Sequence, residues 1–566
     1  MAKKVSWHDQ LLPALDSSKS EIRILQIEPG AQDSPIRCKF QVATLDSLDV
    51  SYEALSYAWG NDSADSHESI YFGANDVGVT PSLADALRRL RLPNEQRHVW
   101  ADALCINQTD NVEKSLQVSM MGRIYNKSKQ GAIWLGPLGD AFAPADAQAA
   151  LDTLSWIAGD REQPSWMDDD DAKRMAASEA LKALMNVSWW NRIWTVQEAI
   201  LPPKATIYWG PCELPWDMLN RASDSFFNGT APGLYAEFWN NGSILNLQAA
   251  LRGLGASRGE DLFMLLWRWR FRQATDPRDK VYGLLGFRSD ISLPSVKMCD
   301  YTVDVRTLYH RVTVDLIGMS TDLQPLIGRG GEGSDITGLA SWAVDWHGVR
   351  DDARRSRANF WDHRDWWHFG GFTADRGMFG VGEGLRVEGD GDVLRLAGLR
   401  LSRVAVVEDT SGDYEMPGEG SLGSIFHSCG DRWGELIARY HKHYPDRLSN
   451  GGMTAFLGLI TGNLAQDGSE DDNDSNKWVQ QMVRTQAIFI TEDGHVGLGP
   501  RNVRPGQELW IVGGCRLPVI LNPLLKASDQ ESDMSLTFHS ECFVYDTMKG
   551  EAVEGREDQV KEILLR

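Results

Sequence analysis

Glu198 is one of several polar side chains that this sequence sets against short apolar runs. It lies in WNRIWTVQEA (Trp190 to Ala199), whose spacing predicts a helix over 190–201. On that helix Trp190, Trp194, Gln197 and Leu201 form the buried face, and Glu198 sits on its edge beside Trp194. A carboxylate bordering an aromatic face is partly desolvated, which raises its proton affinity and strengthens its attraction for a nearby cationic centre. A structural pairing of Glu198 with Arg192 or another basic residue, which would merely fix the helix, competes with this reading and is the simpler one on the residues alone.

Two further runs set polar side chains at the ends of apolar ones: EALSYAWG (Glu53 to Gly60) and VWADALCINQ (Val99 to Gln108). Both are short, aliphatic and aromatic, and end in Gly-Asn or Asn-Gln, as buried strands of an α/β sheet do where they meet their loops. Between them PSLADALRRLRL repeats Leu83, Leu87 and Leu90 at helical spacing behind Pro81, a first-turn proline. Strand, helix and strand in that order imply a right-handed parallel crossover. The three motifs would then form the floor and rim of one pocket.

After Gln108, NVEKSLQVSMMGRIYNKS places Val118, Met120, Met121, Ile124 and Tyr125 on one helical face, with Gln117 projecting from that stripe and Glu113 one turn earlier along it. Buried amides and carboxylates need partners, so Gln117 and Glu113 are structural hydrogen-bonders or pocket residues, the former being the commoner case. GAIWLG (Gly131 to Gly136) is a third buried strand, and ATIYWG (Ala205 to Gly210) a strand after the Glu198 helix.

The three motifs in this order, with AIWLG after the second and ATDPRDKVYGLLGF (Ala274 to Phe287) later, closely resemble the fungal heterokaryon incompatibility (HET) domain family. The resemblance covers roughly Ser51 to Gly210. LASWAVDWHG (Leu339 to Gly348) and GLGPRNVRPGQELWIVGG (Gly497 to Gly514) look like trailing segments of large fungal members. The family is in turn distantly similar to Toll/interleukin-1 receptor/resistance (TIR) domains, whose fold is a flavodoxin-like parallel sheet. ALSYAWG would be the first strand and its turn, WADALCINQTD the second strand with its loop, and Trp194 to Glu198 the tryptophan-to-glutamate helix. The long stretch from Pro137 to Trp189 departs from the TIR layout.

In enzymatic TIR domains that glutamate is needed to cleave the nicotinamide-ribose bond of NAD, so the resemblance implies that Glu198 is catalytic, with NAD as substrate and no further cofactor. Nicotinamide is already a cationic leaving group. The site would therefore mainly stabilise an oxocarbenium-like ribose, the glycosidase problem without the general acid. Tyr57 and Trp59 would stack on nicotinamide or adenine, Asp102, Asn107 and Gln108 would hydrogen-bond ribose or phosphate, and Gln117 and Trp194 would line the pocket. The resemblance also implies a cell-death role on non-self recognition, with an unidentified protein trigger and a homo-oligomer when active. The competing expectation is a non-enzymatic signalling module in which the same surface oligomerises or docks a partner.

A chain of 566 residues suggests about two to four domains. A net charge of −22, with 79 acidic against 57 basic side chains, opposes nucleic acid and anionic membranes. No apolar stretch suits a signal sequence or a membrane span, so the expectation is a cytoplasmic protein. The seven cysteines are scattered without a CxxC pair, which indicates neither a zinc site nor a disulfide framework. Cys105, inside the second motif, reads as a small buried thiol rather than a nucleophile.

Three formal matches carry little. GASRG (Gly255 to Gly259) lies between helical stretches, so Ser257 reads as a cap rather than a nucleophile elbow. GRGGEG (Gly328 to Gly333) lacks a surrounding strand-turn-helix unit. FWDHRDWWHFG (Phe360 to Gly370) lacks convincing metal-ligand spacing.

The expected plan is a β-hairpin leader over 1–50, the HET domain over 51–210, a helical domain over 211–360 and a β-rich domain over 361–566. Asp276, Arg278 and Asp279 form a charged knot expected to brace the helical domain on the HET core. LRVEGDGDVLRLAG and IFITEDGHVGLGP are alternating runs with Asp-Gly turns, and ELWIVGG and RLPVILN extend the same sheet or barrel. Residues 466–476 read as a solvated acidic loop.

Overall fold

The structure is a computed structural model. It describes residues 7–47, 50–59, 67–139, 143–227, 230, 261–287, 293–320, 322–327, 334–348, 372–376, 386–388, 393–408, 486–524, 535–545 and 547–566. GASRG, GRGGEG, FWDHRDWWHFG and the acidic loop 466–476 lie outside the described residues. The chain divides into two compact units, Met1–Ser292 with Lys297–Val303, and Leu293–Val296 with Asp304–Arg566.

In the first unit the described elements begin α1 (Trp7–Leu11), β1 (Glu21–Ile27), β2 (Cys38–Thr44), β3 (Glu53–Tyr57), β4 (Glu68–Phe72), β5 (Asn75–Val79), α2 (Pro81–Leu90), β6 (Arg97–Trp100), α3 (Asp102–Cys105), α4 (Asn111–Ser119), α5 (Met121–Lys127) and β7 (Gln130–Trp134). They continue α6 (Pro144–Ile157), α7 (Trp166–Asp169), α8 (Asp171–Asn186), a 3-10 turn over Ser188–Asn191, α9 (Thr195–Ile200), β8 (Ala205–Trp209), β9 (Cys212–Pro215), α10 (Trp216–Phe227), α11 (Leu262–Trp269) and α12 (Asp279–Leu285).

Seven strands form one sheet in the order β2-β1-β6-β3-β7-β8-β9. Pairings within β6-β3-β7-β8 are parallel, while β1, β2 and β9 join antiparallel. The first motif is β3, every residue of which is buried, and it lies beside β6 as the strand-helix-strand reading predicts. The chain passes from β3 to β6 on one side and from β6 back across to β7 on the other side of β3, which puts the topological switch point between β3 and β7.

Side chains tie these strands together. Glu53 pairs with Arg97 at 2.7 Å, Arg97 reaches the Tyr208 hydroxyl at 3.1 Å, and Gln130 donates to Glu53 at 3.1 Å. Helix α5 is stapled to β3 reciprocally: Tyr52 donates to the Ile124 carbonyl at 2.6 Å and Tyr125 to the Leu55 carbonyl at 2.9 Å.

Two helical expectations need correction. The segment after Gln108 is two helices, α4 and α5, broken at Met120. The expected helix over 190–201 is a 3-10 turn and the shorter α9, because the Thr195 hydroxyl bonds the Trp189 and Arg192 carbonyls and fixes a corner between them. Helix α9 is buried on all sides rather than on one stripe, whereas Trp194 and Leu201 are only half-buried. The stretch from Pro137 to Trp189 contains α6, α7 and α8.

In the second unit α13 (Val305–Ser320) precedes β10 (Arg386–Glu388), β11 (Val393–Glu408), β12 (Gln486–Thr491), β13 (Val496–Pro500), β14 (Glu508–Val512), β15 (Val519–Pro523), β16 (Ser535–Glu541), β17 (Phe543–Val544) and β18 (Lys561–Leu565). Strands β11, β14, β15, β16 and β18 pair successively and return to β11, a closed ring that leaves none of the five as a free edge. Leu399, Leu401, Phe489, Leu509, Ile511 and Ile520 belong to its buried apolar cluster. The hairpin β12–β13 turns at Asp493-Gly494 with Gly494 at φ +86°, the left-handed conformation that glycine supplies without strain.

Candidate functional site

The carboxyl end of β3 carries Ser56 and Tyr57 in a fully buried strand. Helix α9 packs on β3 and β7 and brings Glu198 to that end, at the switch point where open α/β sheets bind ligands. Ser56 Oγ donates to Glu198 Oε2 at 2.5 Å and accepts from Trp189 Nε1 at 2.7 Å. The indole N–H occupies the hydroxyl's acceptor side, so the hydroxyl proton is directed at the carboxylate.

Glu198 is 5 % exposed, and its carboxyl is pushed up to about 8. Burial is the main cause. The charge of Asp102 adds to it, while Arg192 and the Ser56 hydrogen bond oppose it. Among the described residues Glu198 makes no ion pair, so the alternative in which Arg192 merely locks it in a salt bridge is not what the structure contains; Arg192 acts on it only at longer electrostatic range.

Asp102 follows β6, the strand adjacent to β3, and accepts from Trp59 Nε1 at 3.1 Å. Its carboxyl is raised by burial against the pull of Arg192, the Ala103 backbone and Trp59. Tyr57 and Tyr125 lie in the field of both carboxylates, and burial raises both phenols well above the ordinary value. Ser56, Tyr57, Asp102, Tyr125, Trp189, Arg192 and Glu198 therefore make one cluster, with Trp59 attached through Asp102.

The remaining expected site residues are engaged elsewhere or brace the rim. Gln108 donates to the Asp102 carbonyl at 3.1 Å. Asn107 accepts from the Thr109 amide and hydroxyl at 3.1 and 2.7 Å, a local turn that shapes the loop. Gln117 donates to the Glu21 carbonyl at 2.8 Å and ties α4 to β1. Glu113 is the structural partner of buried Arg23, at 2.6 and 2.9 Å, and also accepts the Asn107 amide at 2.7 Å. Trp194 hydrogen-bonds the Asp279 carboxyl.

Asp279 also accepts from Tyr301 at 2.7 Å, and burial raises its carboxyl. The charged knot is thus divided. Arg278 pairs with Asp276 at 2.7 Å and binds the Val303 carbonyl at 2.9 Å, whereas Asp279 takes neutral donors instead of a salt bridge. The neighbour of Glu198, Gln197, donates to the Gly283 carbonyl at 2.6 Å. Helix α9 is consequently clamped from α12 while Glu198 faces β3. The Cys105 thiol is fully buried and pushed up to about 12, which leaves it inert.

Sequence reasoning missed Ser56, Tyr125 and Trp189 as site residues. Ser56 carried a usable signal, a hydroxyl inside an otherwise apolar strand run, which must find a partner when buried. Trp189 and Tyr125 carried none, because aromatic residues on apolar faces read as core.

A sheet with a parallel centre and a buried carboxylate at its switch point defines an α/β protein. Residues 52–198 match the family model described as "Heterokaryon incompatibility protein (HET)". The span that resembles the heterokaryon incompatibility family begins at Tyr52 and ends at Glu198. The chain is also similar to "Heterokaryon incompatibility protein 6, OR allele" of Neurospora crassa, 28 % identical over 407 residues, which cover 59 % of this chain and 59 % of that protein. No solved structure matches. Among the described residues no helix is long and apolar enough to cross a membrane.

Proposed function

We propose that this protein is a cell-death effector of the fungal self/non-self recognition type, and that it acts by cleaving the nicotinamide-ribose bond of NAD at Glu198. The family match and the Neurospora relative support the biological part of this reading. The parallel strands follow the order second, first, third, fourth, which supports a flavodoxin-like and hence TIR-like core. One observation carries the chemical part: a buried carboxylate without an ion pair among the described residues, oriented by Ser56, at the switch point of that sheet.

In this mechanism the C–N bond pair leaves with nicotinamide, which departs neutral, and positive charge develops on the ribose. Glu198 stabilises that charge in a dry site where its electrostatic effect is large. Tyr57 and Trp59 flank the base, and water then adds to the ribose carbon, its proton passing to the Glu198 carboxylate and on to solvent. The protein acts in the cytoplasm as a homo-oligomer set off by a protein partner.

A second reading draws on the same burial. Glu198, Ser56 and Trp189 would hold β3 to α9 in an assembly module without chemistry. Nicotinamide release from NAD by the full-length protein and by Glu198→Gln, alongside toxicity on expression, separates the two. Toxicity that survives the substitution supports the assembly module.

A further inference from the structure

Glu198 presents two different oxygens. Oε2 accepts the Ser56 proton, which Trp189 holds in that direction. Oε1 has no hydrogen-bond partner among the described residues. A proton on this carboxyl therefore sits on Oε1, the oxygen left for a ligand. Asp102 provides a second carboxyl close by: it follows β6, the strand paired in parallel with β3, and its charge acts on Glu198. Two buried carboxyls that share the field of Arg192 are disfavoured as two anions, and one of them keeps its proton.

We propose that Glu198 is also a proton donor through Oε1, with Asp102 as the ionised partner, so that the site cleaves N-glycosidic bonds of nucleosides and nucleotides whose base leaves only when protonated. This rests on the preceding reading that the site holds a nucleotide sugar. The C1′–N bond breaks as the Glu198 proton passes to the base nitrogen. Water adds to C1′, its proton passes to Asp102, and exchange with solvent restores the original protonation. The products are the free base and the sugar bearing a 1′-hydroxyl, with no oxidant or reductant required.

The groups that face Glu198 are Tyr57 from β3, Asp102 after β6, Tyr125 from α5 and Arg192 ahead of α9. Both phenols are raised and stay protonated through the neutral range, so the carboxyls govern its pH response.

The test uses the full-length protein with NAD and, separately, adenosine and AMP, following nicotinamide and adenine release between pH 6 and 9. Adenine release should fall above about pH 8, where Glu198 loses its proton, while NAD cleavage rises toward the same pH. Glu198→Gln, the same size and checked for folding by circular dichroism, should lower adenine release by roughly 100-fold or more. NAD cleavage without adenine release at any pH overturns the proton-donor role and leaves the NAD reading standing. Release of neither base overturns both. Adenine release that rises with pH in parallel with NAD, or that is unchanged in Glu198→Gln, overturns the proton-donor role alone.

Discussion

Gln197 and Glu198 are neighbours in α9 that turn to opposite sides. Gln197 donates to the Gly283 carbonyl at 2.6 Å, and Glu198 accepts from Ser56 at 2.5 Å. One residue of the Gln-Glu pair fixes the helix on α12 and the other is delivered to the end of β3. The pair thus has a division of labour in which α12, beyond the matched span 52–198, positions the carboxylate.

The clamp depends on close backbone approach. A Cβ on Gly286 would stand 2.9 Å from the Gly122 Cα, and one on Gly122 would stand 2.5 Å from the Gly286 carbonyl oxygen. Gly286→Ala and Gly122→Ala are each expected to cost about 1–3 kcal/mol by overpacking. Thermal melting should show the loss, and turnover should fall in proportion as α9 shifts.

Ser56→Ala removes the hydrogen bond that favours the ionised form of Glu198 and leaves Trp189 Nε1 without its acceptor. A hydrogen bond to a charged group contributes about 1.5–3 kcal/mol, so kcat for NAD should drop roughly 10- to 150-fold with little change in KM. Steady-state kinetics on protein with unchanged circular dichroism gives the answer.

NAD cleavage needs the Glu198 anion. With the free carboxyl at about 8, kcat/KM should rise with pH and level off near that value. The limb in kcat should lie at lower pH, because the bound pyridinium charge favours the anion. Coincident limbs at ordinary carboxylate pH would remove Glu198 from the chemistry.

The same shift has a stability consequence. The folded carboxyl, at about 8 against an ordinary 4.5, binds a proton that the unfolded chain has released, so the native protein loses stability as pH rises between those values. Glu198→Gln carries no such penalty. Its melting temperature should exceed that of the wild type by a margin that grows from pH 5 to pH 8; a shift from 4.5 to about 8, at about 1.4 kcal/mol per pKa unit, limits the stability difference to about 5 kcal/mol.

Much of this was legible in the sequence because each parallel strand is a short apolar run and α2 begins at Thr80-Pro81 with its cap hydrogen bond in place. The Asp-Gly turn at Gly494 was equally plain. Periodicity did not give the break at Met120 or the corner at Thr195, which depend on side-chain hydrogen bonds and tertiary packing. Nor could it show which polar residue meets which. Gln117, on the same buried stripe as the site helices, ends on β1, while Ser56 reaches Glu198 across 142 positions of chain.

The most direct test is nicotinamide release from NAD by purified full-length protein beside Glu198→Gln at pH 8. The account predicts turnover by the wild type and a loss of at least about 100-fold in the variant, with the fold intact. Equal turnover in both, or none in protein shown to be folded and assembled, contradicts it.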